Sequence, residues 1–347
     1  MQAELKSGLL STQDPRLVRS DLSVFSQDWW LKSARRSSDY REVKVVHRSQ
    51  VVGRLPFILR KNRLGLASGQ DPFWSRLGGP ILDESLDHTE QNEVIRSLLE
   101  KLPRWASFHF VCDPNLSYAD LMRNAFRDAG FEHSTQVTYV RFPEEGDVLS
   151  TRKSKHRGHF RRAAKGLECA DVSAREFSQF FGMNLKARGK KSYAPLEILQ
   201  DLIEEAIARG CARAIAAQPN SRDGSRNGDR CLSYDAAIVY IWDSSRCYYW
   251  LSTRRIPLGE DPALKPHPDA VKLLAVKAME HAQAMNLTFD ADGVSTLGSD
   301  NLYRNIFGLR NQERRDVFQR LSTFECLYQK SKRRFVRRKG ANLDSKT

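Results

Sequence analysis

The stretch from His267 to Gly308 constrains the fold of this chain more than any other. Apolar residues recur at intervals of three and four between Pro268 and Met285, a spacing that predicts a helix with one apolar side. Residues 287–289 then predict a short buried strand, and Asp290 and Asp292 follow at its carboxyl end. A second short helix pattern completes the stretch. We therefore expect a ligand crevice beside this strand, in a mixed α/β sheet.

Length and composition predict a protein of two domains without membrane-spanning segments. The chain has 347 residues, and a domain takes up roughly 150 residues on average. No apolar run approaches the ~20 residues of a transmembrane helix. The opening residues, MQAELKSGLLSTQDPR, lack the apolar core of a secretory signal. We expect a cytoplasmic protein, with attachment to the periphery of a membrane as an option.

The six cysteines predict neither disulfides nor a metal site. They lie far apart, with no CxxC pair and no histidine at zinc-ligand spacing beside them. We expect reduced and mostly buried thiols, with a catalytic cysteine as the alternative. No metal is expected.

The net charge of +14 is concentrated in two runs of basic residues. Arg152–Lys165 (RKSKHRGHFRRAAK) opens the second half of the chain, and Lys330–Lys339 (KSKRRFVRRK) lies near its end. Such runs attract phosphates, nucleic acid such as tRNA, or an anionic membrane surface. The alternative is a solvated basic helix and a disordered tail.

The order of helix and strand patterns divides the chain into two domains. After a polar lead-in over residues 1–20, residues 21–143 show one helix, several strands and then alternating helices and strands, which is typical of a mixed α/β domain. The acidic segment 143–150 (PEEGDVLS) interrupts the pattern. We place the second domain at residues 151–329 and a basic tail at residues 330–347.

Two six-residue segments suggest that the halves arose by duplication. Residues 121–126 (LMRNAF) and 302–307 (LYRNIF) share Leu, Arg, Asn and Phe at a constant offset, 302 minus 121, or 181 positions. Four matches in six positions can arise by chance. Because each segment occupies the same place in the element order of its half, duplication is favoured.

The second half resembles the GNAT acyltransferase fold in its order of elements. Leu302-Tyr303 with Phe307-Gly308 is similar to the Leu-Tyr and Gly-Phe element of that superfamily with the last pair inverted, and Gly130-Phe131 follows the corresponding helix of the first half. Over residues 22–328 the chain resembles the tandem-domain FemAB-like and cellulose-biosynthesis-type GNAT proteins. This resemblance implies two tandem GNAT-like domains with an α/β (α+β mixed-sheet) fold. It also implies an acyltransferase that works without a metal.

Acyl transfer to an amine needs a base, hydrogen-bond donors for an oxyanion and an acid for the leaving group. Asp290 or Asp292 is the candidate base or ammonium-binding group, and Tyr303 lies where the superfamily often places a general acid. The structural alternatives are a turn at Asp292-Gly293, a cap at Asp290 and a half-buried helix anchor at Tyr303.

Four further residues are candidate substrate contacts. Trp250 and Ser252, at the end of a predicted strand, can present backbone donors and an aromatic wall. Arg188 and Tyr193 lie between two predicted helices that would cover the site, where they can contact the acceptor. Solvation of a helix end is the alternative for this second pair.

The chain departs from the GNAT pattern in the loop that binds coenzyme A. Ordinary GNAT enzymes carry Arg/Gln-x-x-Gly-x-Gly/Ala there, and its amides hold the pyrophosphate at a helix amino terminus. This chain has STRRIPLGEDPALKPHPDA instead. Arg254, Arg255 and Lys265 would supply the charge, and Asn301 is a further candidate cofactor contact.

Three functional hypotheses follow. The leading one is an N-acyltransferase that uses acyl-CoA or a similar activated donor, with a small-molecule, glycan or peptide amine as acceptor in cell-envelope or polysaccharide synthesis. The first alternative is a FemAB-like, tRNA-dependent aminoacyl transferase acting on a peptidoglycan precursor. FemAB-like proteins also lack this loop, and some of them take the acyl group from aminoacyl-tRNA. The second alternative is a non-catalytic nucleic-acid-binding protein.

Overall fold

The structure is a computed structural model, and it describes residues 2–6, 22–150, 152, 154–220, 234–256, 265–293 and 296–326. The predicted basic tail, with Lys330–Lys339, and most of the predicted lead-in lie outside these residues. Both stay predictions.

Helices and strands follow one another in an order close to the predicted one. The strands are β1 (Gln2–Lys6), β2 (Tyr40–His47), β3 (Gln50–Lys61), β4 (Ala67–Gln70), β5 (Ile81–Leu82), β6 (Ala106–Cys112), β7 (Glu132–Arg141), β8 (Leu167–Asp171), β9 (Ala212–Pro219), β10 (Ala236–Trp242), β11 (Arg246–Arg254), β12 (Thr288–Asp290) and β13 (Asn311–Arg320). The α-helices are α1 (Asp28–Ala34), α2 (His88–Glu100), α3 (Ala119–Asp128), α4 (Ser154–Gly166), α5 (Ala174–Ala187), α6 (Leu196–Ala208), α7 (Ala270–Ala284) and α8 (Leu297–Asn301). A π-helical turn, Leu302–Ile306, follows α8.

The chain divides into two units, each with its own apolar core. Unit 1 consists of Met1–Asp14, Ala34–Thr135 and Arg315–Thr347. Unit 2 consists of Pro15–Ser33 and Gln136–Arg314. Both units contain a mixed sheet packed against helices, which confirms the predicted mixed α/β fold class.

In unit 1 the strand order is β1-β2-β3-β4-β6-β13, with β5 beside β3. β4 and β6 run parallel, whereas their neighbours in this unit run antiparallel. α2 joins the parallel pair. Its buried side, which includes Val94 and Leu98, packs into one core with strand residues such as Phe108.

In unit 2 the strand order is β7-β12-β11-β10-β9-β8. β11 and β12 run parallel, and the other neighbouring pairs run antiparallel. α7 joins this parallel pair, and its predicted apolar side, which includes Leu274, Ala278 and Ala282, is buried in the core. The helix, strand and acidic turn predicted from the sequence therefore lie where a parallel strand pair ends.

Two strands pass from one unit to the other along the chain. β7 begins in unit 1 but pairs with β12 in unit 2, where Asp290 is opposite Val140. β13 begins in unit 2 but pairs with β6 in unit 1, where Asp316 is opposite Cys112. The last strand of each half of the chain thus pairs with a strand of the other half. The predicted domains at 21–143 and 151–329 follow chain order, so they group these two strands differently.

The structure corrects one detail of the predicted elements. The glycine-rich and aromatic sequence of residues 64–75 predicts a loop, but β4 forms within them. Alanine and glycine are weak strand formers, so Ala67 and Gly69 give no signal of a strand in the sequence. Glycine is required at position 69 because a Cβ there would collide with the ring of Phe108.

No helix in the described ranges is both long enough and apolar enough to cross a membrane.

Candidate active site

An irregularity in β11 marks the candidate site in unit 2. The register with β10 shifts between Val239 and Ile241, which leaves one extra residue on β11 before Leu251. Such a β-bulge bends a strand and redirects its side chains. The parallel ladder with β12 ends at the same place, because its last pair joins Tyr248 and Asp290 while β11 continues.

Beyond the bulge, β11 and the chain after β12 have different neighbours. The N–H of Ala291 donates to the carbonyl of Tyr139 on β7 at 2.9 Å, and the N–H of Arg255 donates to the carbonyl of Asp235 at 3.0 Å, on the β10 side. Alternate residues of a strand turn their backbone groups to opposite edges. The backbone of Ser252 therefore faces the edge that β12 leaves free, which we call the free edge of β11.

Arg254, the next outward-facing residue on the free edge, brings two arginines together. Nη2 of Arg188, at the end of α5, donates to the backbone carbonyl of Arg254 at 3.1 Å. Nε of Arg254 is buried without a hydrogen-bond partner. No carboxylate in the described part of the chain forms a salt bridge with either guanidinium. We call Arg188 and Arg254, which are joined through the backbone carbonyl of Arg254, the arginine pair.

Tyr249 links two of the predicted residues, although it is not itself among them. It lies in the bulge, is 4% exposed, and packs against Phe307 with 5.7 Å between ring centroids. The hydroxyl of Tyr249 is buried without a hydrogen-bond partner. Burial raises the pKa of Tyr249, the nearby Ser252 side chain lowers it, and the nearby phenol of Tyr303 raises it further. The structure thus brings Ser252 and Tyr303 together around Tyr249. The signal in the sequence was its position immediately before Trp250, at the end of the same predicted strand.

Asp290 is held in a buried network. Thr138 Oγ1 donates to its Oδ1 at 2.5 Å, and the N–H of Asp292 donates to the same oxygen at 2.8 Å. Its Oδ2 pairs with Nη1 of Arg246 at 3.4 Å, and Arg246 also pairs with Glu313 at 2.5 Å. Because buried polar groups with several partners fix local structure, this geometry favours the structural alternative for Asp290.

Asp292 and Gly293 form the turn that was the alternative to a catalytic role. Asp292 lies in the left-handed backbone region at φ 68°, and Gly293 at φ 84°. The N–H of Gly293 donates to Thr138 Oγ1 at 3.0 Å, and a Cβ on Gly293 would lie 2.8 Å from the amide of Gln136. Asp292 is half-buried beyond the end of β12. A turn does not conflict with catalysis, so the role of its carboxylate stays a prediction.

The side chain of Trp250 does not form the predicted aromatic wall. It is 1% exposed, and its ring packs edge-on against Trp30 with 5.1 Å between centroids. Only its backbone is left for a ligand. Tyr193 is 49% exposed after the end of α5, and its contact with the acceptor stays a prediction.

The remaining predicted cofactor contacts are Arg255, Lys265 and Asn301, and they differ in their surroundings. Nη2 of Arg255 pairs with the buried Asp235 at 2.5 Å, and the same carboxylate accepts the N–H of His267 at 2.9 Å. Arg255 therefore ties the end of β11 to the start of the α7 region. Lys265 is exposed, and Asn301 accepts a hydrogen bond from Asn305 at 2.8 Å.

A carboxylate occupies the amino terminus of α7. Asp269 precedes the first turn, its Oδ2 lies 3.1 Å from Nδ1 of His159, and it pairs with Lys272. Burial alone would raise the pKa of Asp269, but Lys272 and His159 lower it overall. A pyrophosphate at this terminus would meet a negative charge. No group of three or more His, Cys, Asp and Glu residues in the described ranges is arranged to hold a metal.

The chain is similar in fold to several solved structures. The crystal structure of FemX matches with a TM-score of 0.53 at 12% identity, over 88% of this chain and 94% of FemX. The C-terminal DUF2156 domain of an Agrobacterium fabrum protein described as a lysylphosphatidylglycerol synthetase matches with a TM-score of 0.52 at 12% identity, over 83% of this chain and 86% of that domain. A conserved Bacteroides thetaiotaomicron protein of unknown function matches with a TM-score of 0.50 at 10% identity, over 84% and 89%.

No protein-family model and no curated protein sequence matches this chain. At 10–12% identity the structural similarity concerns the fold. The chain therefore has the fold of FemX and of the DUF2156 domain, which confirms the predicted resemblance to FemAB-like GNAT-fold proteins at the level of the fold.

Proposed function

We propose that this protein is an N-acyltransferase that moves an acyl group from acyl-CoA, or a similar activated donor, to an amine. The observation that carries the proposal is the free edge of β11 beyond the bulge. It presents a backbone donor at Ser252, between the phenols of Tyr249 and Tyr303 on one side and the arginine pair on the other. These are the hydrogen-bond donors, acid and anion-binding groups that acyl transfer requires.

Each group has a defined part in the proposed reaction. The amine nitrogen attacks the acyl carbonyl carbon, and the N–H of Ser252 stabilises the oxyanion that forms. When the tetrahedral intermediate collapses, the new carbon–nitrogen bond remains and the carbon–sulfur bond of the thioester breaks. The proton on the attacking nitrogen passes to a base, for which Asp292 is the candidate, and Tyr303 gives a proton to the departing thiolate.

The residues present fit an anionic donor that is held by side chains. Arg188 and Arg254 meet at the free edge, and the exposed Lys265 precedes α7. Because Asp269 occupies the terminus of α7, phosphates would bind to these cations instead of to helix amides. The acceptor would be an amine of a small molecule, glycan or peptide in cell-envelope or polysaccharide synthesis.

Calorimetric titration of the full chain with acetyl-CoA and longer acyl-CoA tests the donor. We expect saturable binding that Arg254→Ala weakens about tenfold, the equivalent of one lost charged hydrogen bond. The control is Arg127→Ala in unit 1, whose side chain is 72% exposed, and it should bind like the unaltered protein. If no acyl-CoA binds to the unaltered protein, this donor class is excluded.

One observation favours a second candidate, aminoacyl transfer from tRNA. α4 buries Phe160 and Ala163 but exposes the cations Lys155, Arg161, Arg162 and Lys165. An exposed row of cations binds a phosphate backbone in a salt-dependent way. A tRNA-dependent transferase therefore has a surface of suitable charge in unit 2.

Transfer of a labelled amino acid from aminoacyl-tRNA to a peptidoglycan-precursor peptide tests this candidate. We expect Lys155→Ala/Arg162→Ala to weaken tRNA binding. The slope of log affinity against log salt concentration should fall by the amount that about two phosphate contacts contribute. The matched control is Lys61→Ala/Arg63→Ala, two exposed cations of unit 1. Equal effects of both double variants, or no transfer from tRNA, would remove this candidate.

A further inference from the structure

Two exposed aromatic side chains lie at one hydrogen-bonded junction of unit 1. Trp105 is 59% exposed and Phe324 is 64% exposed. The hydroxyl of Ser107 accepts the N–H of Ser322 at 2.8 Å and donates to the carboxylate of Glu325. Trp105 precedes Ser107 by two residues, and Phe324 lies between the two partners of Ser107. Both rings are therefore anchored to the same end of β6.

Cations lie close to this junction. Nη2 of Arg320 donates to the carbonyl of Pro103 at 3.1 Å. Burial and then the positive charge of Arg104 lower the pKa of Arg320, so the two guanidinium groups lie near each other. Lys101 and Arg104 are exposed, whereas the carboxylate of Glu325 is bound by Ser107. We call Lys101, Arg104, Trp105, Arg320 and Phe324 the aromatic-basic face.

The residues that follow Glu325 in the sequence are also rich in cations and apolar side chains. Seven Lys and Arg residues lie between positions 330 and 339, and no Asp or Glu lies between Glu325 and Asp344. Apolar residues are interspersed with the cations, namely Leu327, Tyr328, Phe335 and Val336. A phosphate backbone needs only the cations. The interface of an anionic bilayer also takes up aromatic and aliphatic side chains, and it favours tryptophan in particular.

We propose that the aromatic-basic face of unit 1 docks on an anionic phospholipid surface. Trp105 and Phe324 enter the interfacial region, and the cations of the face contact the lipid phosphates. Docking would bury the rings of Trp105 and Phe324, which are exposed to water in the isolated chain. The proposal is independent of acyl transfer in unit 2, since none of its residues takes part there.

Co-sedimentation of the full chain with lipid vesicles tests the proposal. We expect binding to vesicles of phosphatidylcholine with phosphatidylglycerol, much weaker binding to phosphatidylcholine alone, and a loss of binding as salt rises. Trp105→Ala/Phe324→Ala should weaken binding about tenfold or more. The control is Leu64→Ala, a leucine of unit 1 that is 70% exposed in the turn between β3 and β4. It should bind like the unaltered protein.

Tryptophan fluorescence gives a second readout that needs no variant. All six tryptophans lie in described residues, and Trp105 is the exposed one among them. Vesicles of the anionic mixture should therefore shift the emission to shorter wavelength and protect it from acrylamide. Binding that is equal for both vesicle types, or a loss equal for Leu64→Ala and the double variant, would overturn the proposal. So would RNA binding that depends on Trp105 while vesicles do not bind.

Discussion

Arg246 and Asp290 form a buried ion pair, with 3.4 Å between Nη1 and Oδ2, across the last part of the parallel ladder between β11 and β12. Burial would lower the pKa of Arg246, but the charges of Asp290 and Glu313 raise it overall. The pair holds the two strands together immediately before β11 turns away at its bulge. Asp290 therefore supports the geometry of the site.

The first prediction concerns this ion pair. Arg246→Ala leaves the carboxylate of Asp290 buried without its cation, so the free energy of unfolding should fall by about 3–5 kcal/mol. Asp290→Asn keeps the shape and most hydrogen bonds, so the transfer rate per folded molecule should change less than about tenfold. Urea unfolding and initial rates measure the two effects. A rate loss of about a hundredfold in fully folded Asp290→Asn would instead make Asp290 the base.

The arginine pair leads to a second prediction. Arg188→Ala removes the donor to the carbonyl of Arg254 and one of the two cations of the arginine pair, so donor affinity should fall about tenfold. Arg188→Lys keeps the charge but not the planar fork, and should recover part of that loss. Direct titration with the donor measures both. Equal affinity in all three proteins would place the anion-binding groups elsewhere.

Asp71 in unit 1 gives a third prediction, on pH. Its Oδ2 accepts the N–H of Val111 at 2.9 Å, and burial raises its pKa to about 7. The unfolded chain loses this proton near pH 4, so stability is fully present below that pH and falls until about pH 7. The total loss is up to about 4 kcal/mol, because one pKa unit corresponds to 1.36 kcal/mol.

Asp71→Asn should therefore remove this decline and raise the midpoint of thermal unfolding at pH 8. The control is Asp120→Asn, whose side chain is 92% exposed, and it should leave the pH profile unchanged. A profile that keeps its slope in Asp71→Asn would show that another group causes the decline.

A fourth prediction concerns Arg152, which the sequence groups with a surface run but which is 3% exposed in unit 2. Its Nε donates to the carbonyl of Phe307 at 3.1 Å, and its guanidinium lies 4.4 Å from the ring centroid of Phe160. Burial and then the charge of Arg141 lower its pKa to about 10. Arg152→Ala should cost about 2–4 kcal/mol of stability, since a hydrogen bond, a ring contact and packing are lost.

Chemical denaturation of Arg152→Ala beside Arg161→Ala measures this contribution. Arg161 is exposed on α4, so its loss should change stability by no more than about 0.5 kcal/mol. Similar stabilities for the two variants would mean that Arg152 contributes nothing to the end of the π-helical turn.

The periodic helices could be predicted from the sequence, but the partners of two strands could not. α7 lies within the predicted Pro268–Met285. Such patterns are local, whereas β7 and β13 each begin in one unit and pair in the other, and a local pattern does not reveal the partner of a strand. The bulge in β11 was equally hidden, because no Gly or Pro marks it.

Parts of the candidate site were predictable for the same reason. Ser252 and Arg254 lie on the free edge of β11, as their place at the end of a strand pattern indicates, and Tyr303 lies near Tyr249. The functional roles of these three residues stay predictions. From the sequence alone, a role of Tyr249 in the site could not be distinguished from a place in the core, because a buried strand and a catalytic site both favour tyrosine. The ion pair of Arg255 with Asp235 depends on a distant contact that spacing does not reveal.

The most direct test of the proposed acyl transfer is a single-turnover measurement with acyl donor bound before the amine is added. Tyr303→Phe should slow the transfer step about a hundredfold and leave donor affinity unchanged, because only the acid for the leaving group is lost. The control is Tyr234→Phe, a tyrosine of unit 2 that donates to Glu176 at 3.2 Å, and its transfer rate should stay within about twofold. Transfer by Tyr303→Phe at the rate of the unaltered protein would contradict a catalytic site at the free edge of β11.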